Sequence, residues 1–440
     1  MAGMNETHDP ARRSWLEAAN RPGCDFPIQN LPFAVFQSPG RPPRGGVAIG
    51  DMIFDLKAAV NAGLFSQSAR ETAQAACRPT LNELMALPPR QLSVLRYELS
   101  DLLRSDAPAR QRIERLASDL LFPMQDATYL VPAAIGGFTD FFTSVHHVTR
   151  AGRLLRPDSP LPPAFKSLPL AYHGRASSIA VSDTPVIRPR GQYKHDGEVK
   201  FAPTRTLDFE LELGIYIGTG NALGRPIPLS AAAEHIFGFC LLNDWSARDI
   251  QRWESFPLGP FLGKSFCTTI SSWIVTSEAL TPFRVAAPER DKDDPALLAY
   301  LHDPTDQTQG GFDIELIATL ETAEMRSKGE APARITRTHL SALYWTCAQM
   351  IAHHTSNGCN LQPGDLLATG TTSGPADENR ACMLELTAGG KQPLKLPNGG
   401  TRAWLEDGDT LAFHGRATRG GFVSIGFGEC RARIEPALHE

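Results

Sequence analysis

Between residues 24 and 60, short apolar runs are broken by glycine and proline. FAVF, GGVAIG and DMIFDL, separated by Pro39–Gly40, Pro42–Pro43 and Gly45–Gly46, predict a small β-rich unit. From about 68 to 120 the period becomes helical, with Leu95, Leu99, Leu102 and Leu103 recurring on one face. A boundary is expected near 121–135, giving an N-terminal unit over 1–131 and a C-terminal unit over 132–440. Beyond it, a Pro/Gly-punctuated strand pattern runs on with a few helices set in. The fold class expected is mainly β, of α+β type.

Three later elements bear on chemistry. Residues 207–217, LDFELELGIYI, alternate strictly: Leu207, Phe209, Leu211, Leu213, Ile215 and Ile217 share one face, and Asp208, Glu210, Glu212 and Tyr216 share the other. A helix is expected after Asn243, through DWSARDIQRWE, with Asp244 opening it. Another is expected over about 338–354, with Leu340, Leu343, Tyr344, Cys347 and Ile351 inward, ending at Gly358.

Composition narrows the classes. The chain has 440 residues, 42% hydrophobic and 21% charged, which excludes wholesale disorder and allows two or three domains. Lys+Arg 43 against Asp+Glu 48 leaves a net charge of −5, so no bulk field attracts nucleic acid or an anionic membrane surface. No apolar run is long enough to span a membrane, and the N-terminal stretch has no apolar signal core. Eight scattered cysteines with no C-x-x-C pair read as reduced thiols of a cytoplasmic protein.

Candidate chemistry begins with Glu210 and Glu212, two apart on one strand face and so about 7 Å apart. A solvated outer face is the ordinary reading of such a pair. Here no Lys or Arg alternates with the acids, and two like charges that close need something positive nearby. Asp244, Arg248 and Gln251 fall at i, i+4 and i+7, on one face if the segment is helical; an ordinary Asp–Arg surface pair is the competing reading. Asp140 and His147, seven apart, would likewise share a helix face, with the histidine placed to activate water. If Asp140, Glu210, Glu212 and Asp244 converge, a hard divalent cation is almost obligatory, and all-oxygen ligation points to Mg²⁺ or Ca²⁺. No H-x-[DE], G-x-S-x-G, Walker A or H-E-x-x-H motif offers another chemistry.

Longer blocks carry a resemblance. AYHGRASS (171–178), LDFELELGIYIG (207–218), LLNDWSARDIQRWE (241–254), PLGPFLGKSF (257–266), HHTSNGCNLQPGDLLATGTTSGP (353–375) and MLEL (383–386) resemble, in order and over nearly the whole chain, the fumarylacetoacetate hydrolase family. The resemblance implies an N-terminal SH3-like barrel domain, a C-terminal mixed β-sandwich roll, and a homodimer. It implies hydrolysis of the carbon–carbon bond of 4-fumarylacetoacetate, a small dicarboxylate, to fumarate and acetoacetate at the end of tyrosine and phenylalanine degradation. The same core serves hydrolases and decarboxylases of other 1,3-dicarbonyl or 2-oxo acids, such as acylpyruvates, and these form the alternative.

Position by position, the resemblance implies Asp140, Glu210, Glu212 and Asp244 as ligands of Mg²⁺ or Ca²⁺, with Lys264 and Thr268 lying against the metal site. It implies His147 as the base with Glu385 as its partner. Lys264, Arg248 and Gln251 would hold substrate and stabilise developing negative charge. Arg156, Tyr172 and Thr371 would be further substrate contacts. At two substrate-contact positions the chain departs from the pattern: Phe142 and Ser255 stand where the family has tyrosines. A lost donor to a charged acceptor costs about 1.5–3 kcal/mol unless water replaces it.

Overall fold

A computed structural model describes residues 3–438. The N-terminal unit is built on a five-stranded antiparallel sheet in the order Leu121–Pro123, Met52–Asp55, Arg44–Ile49, Phe33–Gln37 and Thr128–Leu130. Helices between its third and fourth strands in chain order include Gln67–Ala75 and Pro89–Leu103, and the latter buries Leu95, Leu99, Leu102 and Leu103 as the helical period predicts. Pro89 occupies the first turn of that helix, where its missing N–H costs nothing.

The C-terminal unit stacks two mixed sheets, so the fold as a whole is mixed α and β with much sheet. One sheet runs Leu170–His173, Phe138–Phe142, Leu366–Ala368, Leu211–Ile217, Ile236–Asp244, Thr268–Ile270 and Ile179–Val181. The other runs Ala333–His339, Ile314–Glu321, Thr410–Ala417, Ile425–Glu435 and Val186–Ile187. Leu213, Ile215, Phe239 and Leu241 of the first pack on Leu316, Ala318, Phe413 and Phe427 of the second. Gly415 is required at that interface, because a Cβ there would lie 2.8 Å from a methyl of Leu241.

The first sheet is covered on both faces over its central strands. Its other side, through Tyr216, Cys240, Leu242, Leu366 and Ala368, joins the core of the N-terminal unit around Leu95 and Leu99. Phe33 and Ile274 exchange backbone hydrogen bonds of 3.0 and 2.8 Å across the junction. The strict alternation in 207–217 is therefore real, but its polar face is not solvent-facing: Asp208, Glu212 and Tyr216 are fully buried.

Three expected elements differ from those observed. The strand 207–217 is broken into Leu207–Asp208 and Leu211–Ile217. At the break, the Asp208 carboxylate accepts from the Phe209 N–H and the Asn243 side chain accepts from the Glu210 N–H, replacing ladder partners. Asp244 opens no helix; it ends the strand Ile236–Asp244, paired opposite Thr268, and the helix begins later as Arg248–Glu254. Thr206, from a distant segment, accepts from the Arg248 and Asp249 N–H groups and so starts that helix there. The helix expected over 338–354 is shorter, Cys347–Thr355, because Thr346 and Gln349 form a capping box, 338–339 end the strand Ala333–His339, and Leu340–Ala342 make only a 3-10 turn.

Candidate active site

Strand order explains how distant acids meet. Asp140, in the strand Phe138–Phe142, stands opposite Tyr172 on one side and Ala368 on the other; Gly214 stands beyond Ala368, two residues past Glu212; Asp244 stands opposite Thr268. These positions lie toward one end of the sheet. There, one carboxylate oxygen each from Asp140, Glu210, Glu212 and Asp244 lies within 4.8 Å of the others, all four residues being buried.

The cluster is only partly neutralised by protein. Lys264 Nζ donates to Glu210 Oε2 and Asp244 Oδ2, both at 2.6 Å. Arg248 Nη2 lies 2.7 Å from Glu210 Oε1. Burial alone would raise the Glu210 pKa, but Lys264 and Arg248 override it and hold the carboxyl well below its usual range. Lys264 in turn is held above its ordinary value: burial opposes this, and the Asp244 and Glu210 charges outweigh it. Tyr172 Oη donates to Asp244 Oδ2 at 2.7 Å, and Thr268 Oγ1 donates to Asp244 Oδ1 at 3.2 Å.

Asp140 and Glu212 are relieved only in part, by the charge of Lys264 at a distance. Burial, and then the charges of Asp244 on Asp140 and of Asp140 on Glu212, push both carboxyls far above their ordinary values. Asp140 Oδ1 and Glu212 Oε1 are buried without a hydrogen-bond partner. Two orphaned carboxylate oxygens inside a set of four acids fit a hard divalent cation, whose charge would reverse the rise in both pKa values.

His147 is not on one helix with Asp140. Ser144 caps the helix Val145–Leu155, accepting from the His147 N–H, and so places the imidazole at its first turn while Asp140 stays on the preceding strand. His147 Nδ1 lies 2.7 Å from Glu385 Oε2. Glu385 sits on the four-residue helix Met383–Leu386 and also accepts from Ser373 Oγ at 2.6 Å and Cys382 Sγ at 3.2 Å. Burial works against its charge, but His147 and these donors bring its pKa down to about 2. An ionised Glu385 has no proton to offer, so the ring proton is assigned to Nδ1, and Nε2 keeps a lone pair. A protonated His147 would also lower the Glu210 pKa, so the pair lies within electrostatic reach of the carboxylate cluster.

The remaining expected residues fall in different places. Arg248 Nη1 donates to Gln251 Oε1 at 3.0 Å, at i, i+3 on the short helix. Thr371 is buried with its hydroxyl unpartnered, one residue after Gly370, whose N–H donates to Glu212 Oε2 at 2.9 Å. The Phe142 ring meets the His147 ring edge-on at 5.4 Å. The Ser255 hydroxyl is spent on the Gln251 carbonyl at the helix end. Arg156 is not brought to the cluster by any contact; it is exposed at the C-terminal cap of the helix that carries His147.

Residues that sequence reasoning missed include Arg150, which donates to the Gly374 carbonyl at 2.8 Å and lies 3.5 Å from Glu385 Oε1. They also include Ser373, Cys382 and Asp208. Asp208 alone had a visible signal, sharing the polar face of Glu210 and Glu212. A cavity of about 190 Å³ opens onto Tyr172, Asp244, Lys264 and Thr268, with Arg175 and Phe261 at its walls. A larger cavity of about 480 Å³, beside the helix Pro89–Leu103, touches none of these side chains.

These features define a class: a protein of mixed α and β structure with a buried cluster of four carboxylates able to hold a cation and, near it, a histidine held by a glutamate. Residues 138–435 match the family described as fumarylacetoacetate (FAA) hydrolase C-terminal, and residues 29–132 match that described as fumarylacetoacetase N-terminal. Fumarylacetoacetase of Oryza sativa subsp. japonica is 44% identical over 97% of this chain and 98% of its own length. Those of Arabidopsis thaliana and Homo sapiens are each 46% identical over 94% of this chain, and over 96% and 97% of their own lengths. The chain belongs to the fumarylacetoacetate hydrolase family.

Proposed function

We propose that this protein hydrolyses the carbon–carbon bond of 4-fumarylacetoacetate to fumarate and acetoacetate, the last step of tyrosine and phenylalanine degradation. The observation that carries the reading is the four-carboxylate cluster with the His147–Glu385 pair, closed at 2.7 Å, within electrostatic reach of it. Similarity to fumarylacetoacetases over nearly the whole chain supports it.

The chemistry follows from the donors. A bound Mg²⁺ or Ca²⁺, held by Asp140, Glu210, Glu212 and Asp244, would polarise the carbonyl oxygens of the substrate. His147 Nε2 takes a proton from water, and the hydroxide adds to the ketone carbon. Glu385 stabilises the imidazolium and fixes the ring orientation. Arg248, Gln251 and Lys264 stabilise the alkoxide; losing one such donor typically costs about 10²–10³ in rate. As the alkoxide collapses, the carbon–carbon bond breaks, and the imidazolium returns its proton to the departing carbon. Tyr172 and Thr371 serve as substrate contacts, and Arg175 puts a cation on the cavity wall for a dianionic substrate.

One observation favours a second reading, a shorter acylpyruvate. Phe142 lies against the base without a hydroxyl, and the Ser255 hydroxyl is already used, so neither offers a donor to a distal carboxylate. Assay of both acids with added Mg²⁺, Ca²⁺ or Mn²⁺, with product identification, tests the proposal. Fumarate and acetoacetate from the first acid support it, and turnover of the acylpyruvate alone refutes it.

The same reading takes the N-terminal sheet as an SH3-like barrel domain over 1–131, the remainder as the catalytic domain, and the enzyme as a cytoplasmic homodimer. An apolar loop supports the dimer: Phe256 is 93% exposed and Leu258 96%, with Phe261 and Leu262 beside them. Sedimentation equilibrium at micromolar concentration would show a monomer if that is wrong.

A further inference from the structure

Asp208 is fully buried, and its two oxygens accept four hydrogen bonds from three separate parts of the chain. Oδ1 accepts from the Phe209 N–H at 2.8 Å and the Met383 N–H at 2.5 Å. Oδ2 accepts from the Leu384 N–H at 2.9 Å and Arg248 Nε at 2.8 Å. Met383 and Leu384 open the short helix that carries Glu385. Its own cap residue, Cys382, supplies no side-chain cap. A four-residue helix has little stability of its own, and its first N–H groups need acceptors. Asp208 supplies them from 175 and 176 residues away in sequence.

The same carboxylate aims Arg248. By holding Nε, it leaves the two outer nitrogens to face Gln251 Oε1 at 3.0 Å and Glu210 Oε1 at 2.7 Å. We infer that Asp208 is a positioning residue that couples the two halves of the chemistry, setting Glu385 against His147 and Arg248 against the developing negative charge at once. The inference rests on the functional reading above and assigns Asp208 no contact with substrate or cation.

An isosteric amide cannot serve all four donors, because its NH₂ group must face one pair of N–H groups. Asp208→Asn is therefore expected to lower kcat at least about tenfold at saturating Mg²⁺, with a smaller change in KM, as for an interaction made in the transition state. Coupled residues are non-additive. In a Glu385→Gln or an Arg248→Gln background, the same substitution should cost at least about threefold less than in the wild-type chain. An equal factor in all three backgrounds, or no loss at all, overturns the inference. If Asp208→Asn does not fold alone, Asp208→Asn/Arg248→Gln removes both buried charges and is compared with Arg248→Gln. A further loss of kcat of about threefold or more is expected through Glu385, and no further loss overturns the inference. If Glu385→Gln and Arg248→Gln leave turnover intact, the functional reading fails. If they impair it and Asp208→Asn does not, this inference alone fails.

Discussion

Glu212→Gln should destroy activity while making the metal-free protein more stable. Glu212 is fully buried; one oxygen accepts from Gly370 N–H and the other has no partner. Burial and then the charges of Asp140, Glu210 and Asp244 push its pKa far up in the folded state. A carboxyl whose folded pKa is raised contributes stability that is fully present below its unfolded pKa, near 4.3, and lost as pH rises toward the folded value. At pH 7.5 without a cation, the folded chain therefore pays for this side chain, and glutamine removes the penalty while its own oxygen keeps the Gly370 bond. With a cation the sign reverses. Binding to the native state alone adds about 2.7 kcal/mol at a hundredfold excess over Kd, and the variant, short of one ligand and one charge, should gain less. The assay is thermal unfolding of both proteins at pH 4 and 7.5, after exhaustive chelation and again with 5 mM Mg²⁺ or Ca²⁺, where that concentration is simply on the order of a large excess over a micromolar Kd. The metal-free variant should melt above the metal-free wild type at pH 7.5, with the gap closing at pH 4. Equal melting of the two metal-free proteins at pH 7.5, or full activity in wild type verified free of metal, would refute the cation site.

Other consequences follow from the same geometry. His147→Ala should lower turnover by the roughly 10²–10⁴ typical of a general base with cation binding retained, whereas His146→Ala should be nearly silent, since adjacent helical residues point about 100° apart; inactivity of the His146 variant instead would reassign the base. Phe142→Tyr should lower KM for 4-fumarylacetoacetate by adding a donor beside the base, and an unchanged or higher KM would mean that the pocket suits another acid or that water already donates there. Asp306, buried and met by the Thr346 hydroxyl, has a carboxyl pushed by burial from 3.8 to about 6. Its stabilising contribution is present below about pH 4 and lost as pH rises through about 6, so Asp306→Asn should stabilise the protein at pH 8 by up to about 3 kcal/mol, and no gain in melting temperature over wild type would count against it.

Much of this site was legible because its residues sit in strongly patterned local sequence. Glu210 and Glu212 stand in an alternation that survives folding, and the leucines of the helix Pro89–Leu103 are buried at the spacing that announced them. The errors share one cause, that local periodicity cannot see partners from elsewhere. Asp244 looked like a helix cap, yet Thr268 draws it into a strand, and Thr206 starts the helix four residues later. Asp140 and His147 looked like two positions of one helix, but pairing of Phe138–Phe142 with two strands claims the first. Polar residues at 208–216 have the pattern of a solvated face, but the N-terminal core covers Tyr216, and Arg248, Lys264, Gly370 and the helix Met383–Leu386 enclose Asp208, Glu210 and Glu212. Arg150 and Ser373 carried no local signal, because they reach Glu385 across 235 and 12 residues, and Cys382, only three residues from it, read as a core thiol.

The sheet that bears the acids is covered on both sides, and this changes how damage spreads through the molecule. Tyr216, Cys240, Leu242, Leu366 and Ala368 rest on the N-terminal core, so removing that unit would uncover apolar surface directly behind the cluster. Substitutions among residues 33–103 need no route to the chemistry to lower activity in a cell. A loss of one or two kcal/mol there lowers the amount of folded enzyme several-fold through cellular quality control. For such variants the useful remedy is a ligand that binds the native protein, since the catalytic machinery in the surviving molecules is intact.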